Sequence, residues 1–316
     1  MLIVVTFFSL SRIWNQKLSL SQNEKVVITA GMNAKEILVR CYFIKCPKIF
    51  KWILAINGYQ KHLKAGRYLA VPGMKASELF ENIKLGKEIQ NKFKIIEGST
   101  FEQILSSLST TATINYDLDN CTTKQIMEYL GLAGINPEGR FAPDTYYYSE
   151  KARASQILKI SYLKQKERLD RWWKYYHGER IYKCIYEWLI VASCLEKESK
   201  YYDEQRLIAG VILRRLKLGM KLQLDPTVIY GLGKQYYGKL TKCMLQQKNG
   251  YNTYVKYGLP ITPICMPSES ALKAALQPED FEYLYYVAKP DGHHYFSKTY
   301  LEHQKAIKKY LMKGKK

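Results

Sequence analysis

Phe93-Lys94-Ile95-Ile96-Glu97-Gly98-Ser99-Thr100-Phe101-Glu102 turns from one kind of backbone to another within ten residues. Its first four positions read as a short strand, and Gly98 marks a turn. Ser99 followed three residues later by Glu102 reads as a capping box that opens a helix running to Leu108. The same strand-then-helix plan lies upstream. Val26-Val27-Ile28-Thr29 is β-like, and Asn33-Ala34-Lys35-Glu36 opens a helix through Ile44. A second helix is expected over Lys48 to Ile56. Ala65 to Pro72 reads as a strand, and Ser77 to Leu85 as a helix closed by Gly86. Downstream the balance changes. Long helical stretches cover about 153–176 and 180–199, and another runs from Asp203 to Leu218 with Gly219 as its stop. Asp225-Pro226 reads as an N-cap with proline at the first helical position. Glu282 to Ala288 is an expected strand, and Ser297 to Met312 a terminal helix with a lysine-rich end. The class is α+β: a small α+β module, then a mainly helical domain with a few strands. The boundary falls near residue 95, giving segments 1–20, 21–95 and 96–316.

The 316 residues suffice for two domains, and 47% hydrophobic with 24% charged residues is ordinary for a folded chain. A formal net charge of +21 is not ordinary. It suits a polyanionic partner, whether nucleic acid, anionic lipid or an acidic wall polymer, or else simply lysine-rich solvated faces. No helix-turn-helix, zinc-finger or RNP pattern is present, so nucleic acid is not the expected partner. The seven cysteines, Cys41, Cys46, Cys121, Cys184, Cys194, Cys243 and Cys265, form no CxxC pair and no zinc spacing. Their odd number and scatter do not describe a disulfide framework, and most read as small buried hydrophobes. No metal and no cofactor is expected. Met1 to Leu10, MLIVVTFFSL, is shorter than the ~20 apolar residues of a spanning helix. No basic residue precedes it, as a secretory signal requires. A truncated anchor and a short anchor with Trp14 and Lys17 at the interface are both favoured over a buried strand.

Ile190 to Ser199 is an apolar helix that ends in Glu196-Lys197-Glu198. Residues two apart on a helix point to roughly opposite sides, so the two glutamates do not form one paired unit. One can face a cleft while the other is solvated. A carboxyl beside apolar walls holds its proton nearer neutral pH, as proton donation to a glycosidic oxygen demands. Ser199 can orient it by hydrogen bonding. A Glu-Lys-Glu tail is, equally, the common form of a solvated helix end. Met220 to Gly231 crowds Gln223, Asp225, Thr227 and Tyr230 around a helix start, where Asp225 can also be no more than a cap. Tyr251-Asn252-Thr253-Tyr254 suits a sugar, with rings for pyranose faces and amides and hydroxyls for sugar hydroxyls; it suits a rigid loop as well. Glu138 to Tyr146 is a further polar-aromatic turn. His293-His294 has no partner at metal spacing and reads as structural or cleft-lining.

Taken in order, these pieces resemble the endolytic murein transglycosylase (MltG/YceG-like) family. The matching residues are Glu138-Gly139 with Pro143-Asp144-Thr145, Ala192-Ser193 with Glu196 to Ser199, and Arg215-Leu216 with Gly219-Met220. They continue through Leu222-Gln223, Asp225 to Gly231, Tyr251 to Tyr254, Gly258-Leu259-Pro260 and Tyr283 to Ala288, and end at His294 with Phe296. The chain departs from the pattern at His293, at Pro267-Ser268, and in its short N-terminal run. The resemblance implies a membrane anchor, a LysM-like module at 21–95 and a catalytic domain at 96–316 on the outer side of the bacterial inner membrane. It implies a lyase that cuts the bond between N-acetylmuramic acid and N-acetylglucosamine in nascent strands and leaves 1,6-anhydro ends. Peptidoglycan strands and cell-wall synthases are the implied partners. The catalytic glutamate matches Glu198, with Glu196 as the runner-up. Glu138, Ser199, Gln223, Asp225, Thr227, Tyr230, Tyr251, Asn252, Thr253 and Tyr254 are the implied substrate-binding residues. A non-catalytic peptidoglycan-binding protein of the same fold is the alternative.

Overall fold

A computed structural model describes residues 14–29, 32, 63–150, 152–175, 182–280 and 282–312. The helices expected over 33–44 and 48–56, the run at Met1 to Leu10, and Cys41 and Cys46 lie outside the described residues. The chain divides into two units, one of 1–93 with 147–152 and one of 94–146 with 153–316.

In the first unit, β1 (Glu24–Ile28) and β2 (Gly66–Ala70) pair antiparallel, with Glu24 opposite Ala70 and Ile28 opposite Gly66. Alternation sends Val26, Ile28, Tyr68 and Ala70 to one face. There they meet Leu79, Phe80 and Ile83 of α1 (Ala76–Leu85). These apolar positions recur at three- and four-residue spacing, which puts them on one helical stripe. Gly86 ends α1 with φ 73°, a left-handed conformation that a side chain would resist. The Tyr68 hydroxyl donates to the Ile83 carbonyl and so ties strand to helix inside this core.

β3 (Asn91–Ile95) and β4 (Asp144–Tyr148) form a second two-stranded sheet. The opening decapeptide folds as strand, turn and helix, but the cap sits one residue later than the sequence suggests. Thr100 and Gln103, not Ser99 and Glu102, form the box that starts α2 (Phe101–Thr110). In the second unit follow α3 (Thr123–Tyr129), α4 (Ala154–Tyr175), α5 (Ile185–Glu198), α6 (Tyr202–Lys217), α7 (Asp225–Leu232), α8 (Lys242–Gln246) and α9 (Glu269–Leu276). The hairpin β5 (Tyr285–Ala288) and β6 (His294–Ser297) and then α10 (Tyr300–Ile307) complete it. Lys308–Met312 continues as a π-helical turn. The α+β class is the observed one.

α5 is the axis of the larger unit. Every residue from Trp188 to Leu195 is buried, so this helix is apolar on all sides and is wrapped by its neighbours. α6 and α9 supply the wrapping through Ile208, Ala209, Ile212, Ala271, Leu272 and Ala275. Two polar groups on α5 are satisfied inside. Trp188 Nε1 donates to Leu272 O at 2.9 Å, and Ser193 Oγ accepts from Ile264 N at 3.0 Å. Gly210 of α6 lies against the Glu279 backbone so closely that a Cβ would stand 2.0 Å from its carbonyl oxygen. Of the described cysteines, Cys194 and Cys265 are buried as expected, whereas Cys121, Cys184 and Cys243 are exposed.

The expectation of a single-pass membrane protein is corrected here. Among the described residues no helix is long and apolar enough to cross a membrane. The longest, α4, has 22 residues, but eight are charged, from Lys159 to Lys174.

Candidate active site

α5 leaves the core at its last turn. Burial ends after Leu195, and the three charged residues emerge in different directions. Glu196 turns to α9, where its Oε2 accepts from Ser268 N at 2.9 Å and from Ser268 Oγ. Ser268 is the N-cap of α9, so this glutamate fastens one helix end to another. Burial pushes its carboxyl up, against those two hydrogen bonds. Lys197 reaches the Gly98 carbonyl at 3.3 Å. Glu198 is half-buried and lines two cavities, one of about 470 Å³ and one of about 710 Å³.

The smaller cavity collects Glu198, Arg215, Gln223, Asp225, Tyr254, Tyr286 and His294. Desolvation pushes the Glu198 carboxyl up to about 7, and the nearby Asp225 charge adds to it, while a hydrogen bond from the Tyr286 hydroxyl pulls it back. Such a group is part protonated at neutral pH. It can give a proton in one step and take one in the next. Arg215 is nearly buried, with Nη1 donating to the carbonyls of Lys221 and Leu222 and Nε to that of Leu284. Its guanidinium lies 5.1 Å from the Tyr285 ring centroid and faces the cavity as a fixed positive charge.

The segment carrying Gln223 and Asp225 is strapped from below. Gln223 holds φ 54°, left-handed for a residue with a side chain. Its N–H donates to Thr253 O at 3.1 Å, and Leu224 N donates to Thr253 Oγ1 at 2.9 Å. Thr227 Oγ1 donates to Leu224 O at 2.7 Å and meets Thr253 Oγ1 at 2.9 Å. Asn252 is fully buried and donates to three carbonyls, of Met244, Leu245 and Gln247. Thr227, Asn252 and Thr253 thus shape the loop and do not reach the cavity. Asp225 is not a cap. It stands in the first turn of α7, with no capping bond, and accepts from the Tyr254 hydroxyl.

Three further expected residues form a strut elsewhere. Glu138 is 5% exposed and accepts from Phe101 N, at the positive end of α2, at 3.1 Å and from the Tyr230 hydroxyl at 2.9 Å. Burial pushes its carboxyl up to about 7. The Tyr230 ring meets Tyr251 edge-on at 4.8 Å, and the Tyr251 hydroxyl bonds Thr262. Neither cavity touches Glu138, Tyr230 or Tyr251. Ser199 lines the larger cavity, but it does not orient Glu198 as expected. Its hydroxyl donates to Glu204 at 2.9 Å. Of the expected set, then, Glu198, Gln223, Asp225 and Tyr254 come together in one cavity.

Sequence reading missed Arg215 and Tyr286 as cavity residues, whereas the cleft-lining reading of His294 matches its place in the smaller cavity. The available signal at Tyr286 was its aromatic side chain packed partly into the core, because a buried tyrosine hydroxyl needs a partner. Among the described residues no group of three His, Cys, Asp or Glu side chains is placed to hold a metal.

The YceG-like family matches residues 26–309. An endolytic murein transglycosylase of Bacillus subtilis is 34% identical over 174 residues, which cover 55% of this chain and 48% of that protein. One from Streptococcus pneumoniae strain D39 is 24% identical over 345 aligned positions, covering 96% of this chain and 62% of that protein. The chain therefore spans about half to three-fifths of the length of these curated relatives. The crystal structure of a YceG-like protein from Listeria monocytogenes has the same fold at a TM-score of 0.56, with 27% identity over 90% of this chain and 99% of that one.

Proposed function

The chain belongs to the YceG-like family, and from that premise we propose that it is an endolytic lytic transglycosylase of peptidoglycan with Glu198 as its acid–base residue. The observation that carries this reading is the place of Glu198. It stands at the open end of a buried helix, between two cavities, with its carboxyl pushed up to about 7. Protonated, it donates to the oxygen joining N-acetylmuramic acid to N-acetylglucosamine. The C–O bond breaks as positive charge develops at C1 of the muramic acid. The carboxylate so formed takes the proton of the C6 hydroxyl, whose oxygen bonds to C1. The product is a 1,6-anhydro end, and no water is consumed. A hydrolase of the usual kind would need a second carboxylate to activate water or attack. Asp225 is the nearby candidate for that role, but it accepts from Tyr254. Gln223, Tyr254 and the Arg215 charge supply contacts for sugar and stem-peptide groups in the smaller cavity.

The antiparallel β1–β2 pair with α1 on one face supports a LysM-like reading of the N-terminal unit. The net charge of +21 suits an anionic wall polymer, and synthases of nascent strands are the proposed protein partners. The test is digestion of purified peptidoglycan with wild type and Glu198→Gln, followed by mass spectrometry of the fragments. Anhydro-ended products from the wild type alone are expected. Reducing ends without anhydro ends would refute the lyase chemistry, and full activity in Glu198→Gln would move the acid elsewhere.

A further inference from the structure

Glu204, in the first turn of α6, accepts four hydrogen bonds. Oε1 receives His293 Nδ1 at 2.8 Å and His294 N at 2.9 Å. Oε2 receives His294 Nδ1 at 2.8 Å and Ser199 Oγ at 2.9 Å. Four donors fill the lone-pair sites of an ionised carboxylate. These bonds and the helix N-terminus both favour that ionised form, and its carboxyl is held below the usual glutamate range although desolvation opposes it. A carboxylate only accepts, so each imidazole presents Nδ1 as N–H. Neutral His294 is thereby fixed as the tautomer whose Nε2 carries a lone pair.

Among the described residues the His294 ring bonds through Nδ1 alone, and His294 lines the same cavity as Glu198. The rest of the ring is held. It meets Tyr286 edge-on at 5.4 Å, and the Tyr286 hydroxyl is the group that hydrogen-bonds Glu198. Glu204 also grips Ser199, the residue that follows Glu198 and caps α5. One carboxylate therefore ties the helix end that carries the acid to the hairpin that carries its tyrosine partner. The arrangement has the form of a carboxylate-oriented histidine in the cavity that Glu198 lines; His303 lines that cavity too, but no carboxylate orients its ring among the described residues.

We infer that His294 is a substrate-contacting residue whose Nε2 accepts a hydrogen bond from a hydroxyl of the glycan bound against Glu198, and that Glu204 is its positioning residue. The inference rests on the glycan-cutting reading above. It assigns one specific contact: a sugar O–H donating to an acceptor that cannot rotate away. Glu204→Gln separates orientation from packing, because it keeps the shape but has one acceptor oxygen in place of two. Its amide must donate toward at least one group that now donates, so an imidazole must reverse its tautomer or lose its bond.

The experiment uses the full chain carrying Glu198→Gln, so that glycan is bound and not cut. Calorimetry measures its affinity for a purified tetrasaccharide of alternating N-acetylglucosamine and N-acetylmuramic acid. Nitrogen-15 spectra of the imidazoles read the tautomers. The expected results are an Nδ1–H signature for His294, and an Nε2 resonance that moves when the tetrasaccharide is added. His294→Phe, which keeps the ring against Tyr286, should bind about tenfold more weakly, the worth of roughly one hydrogen bond. His294→Gln, with an amide oxygen near the old Nε2 position, should regain part of that loss. Glu204→Gln should change the His294 tautomer signature and weaken binding together. Equal affinity in the parent and His294→Phe, or an Nε2 resonance unmoved by saturating glycan, would overturn the inference while leaving the glycan reading intact. A parent that binds no tetrasaccharide would sink the glycan reading and this inference with it. The spectra need no variant at position 294, so a poorly folding His294→Phe does not remove the test.

Discussion

Replacing Glu198 by glutamine should stabilise the folded protein at alkaline pH, and the size of the effect follows from the site. In the folded state the carboxyl is pushed from its ordinary 4.5 up to about 7, chiefly by desolvation. The folded chain therefore holds a proton on this residue more tightly than the unfolded chain does. Stability falls with pH wherever the folded state binds more protons, so this group costs nothing below 4.5. The cost grows as pH rises toward 7 and is complete above it. At ~1.4 kcal/mol per pH unit the full cost is ~3 kcal/mol. Water in the open cavities trims this, and ~2–3 kcal/mol is the expected value. Glutamine matches the protonated carboxyl in shape and neutrality, so the variant escapes the cost. The gain corresponds to a Tm rise of roughly 4–10 °C at pH 8 for a unit of this size, shrinking to nearly nothing at about pH 4.5. Glu138, also pushed up to about 7, is present in both chains and drops out of the difference. The assay is thermal and urea unfolding of both proteins across that pH range. No stabilisation at pH 8, or one that persists unchanged at pH 4.5, would show that Glu198 is not held in a desolvated setting. That result would remove the physical basis for its acid role.

Tyr286→Phe removes the donor that favours ionised Glu198. The carboxyl should rise further, by about one pH unit, so the alkaline limb of the pH–rate profile for anhydro-product release should move to higher pH. Glu196→Ala should cost about 1–2 kcal/mol in urea unfolding through lost bonds to Ser268, yet anhydro ends should still form. Glu138→Ala leaves the buried Phe101 N–H and Tyr230 hydroxyl without their acceptor and should cost about 2–4 kcal/mol by the same measurement. Gly210→Ala places a methyl 2.0 Å from the Glu279 carbonyl oxygen. It should destabilise by about 3 kcal/mol or more, because backbone on both sides must move.

Local rules made much of the fold legible. β1, β2 and α1 answer to alternation, a three-four apolar spacing and a glycine stop, each contained in a dozen residues. The capping box was one residue out because Ser99-Glu102 and Thr100-Gln103 both satisfy its pattern. Only the direction in which the chain leaves β3 chooses between them. Asp225 was read as a cap for a similar reason. Asp before Pro opens helices in general, but here Asp225 already has helical conformation and its carboxylate is taken by Tyr254, 29 residues away.

The difference between Glu196 and Glu198 is of the same kind, and it bears most on function. Helical spacing says that the two diverge; it does not say what each one meets. The answer is written in distant segments: Ser268 for Glu196, and Tyr286 with the Asp225 charge for Glu198. A glutamate that accepts twice from the N-cap residue of α9 has one oxygen held by two donors and its carboxyl pinned to a helix end. Its bonds fasten the fold, although it also lines the larger cavity. Glu198 has one donor and two cavities, so its free oxygen can face a reacting group. Ser268 stands where the sequence departs from its family's pattern, and its hydroxyl supplies one of the two bonds that hold Glu196, the other coming from its backbone N–H. The residue that looked like an irregularity in the chain thus helps to decide which of two neighbouring carboxyls remains available for chemistry.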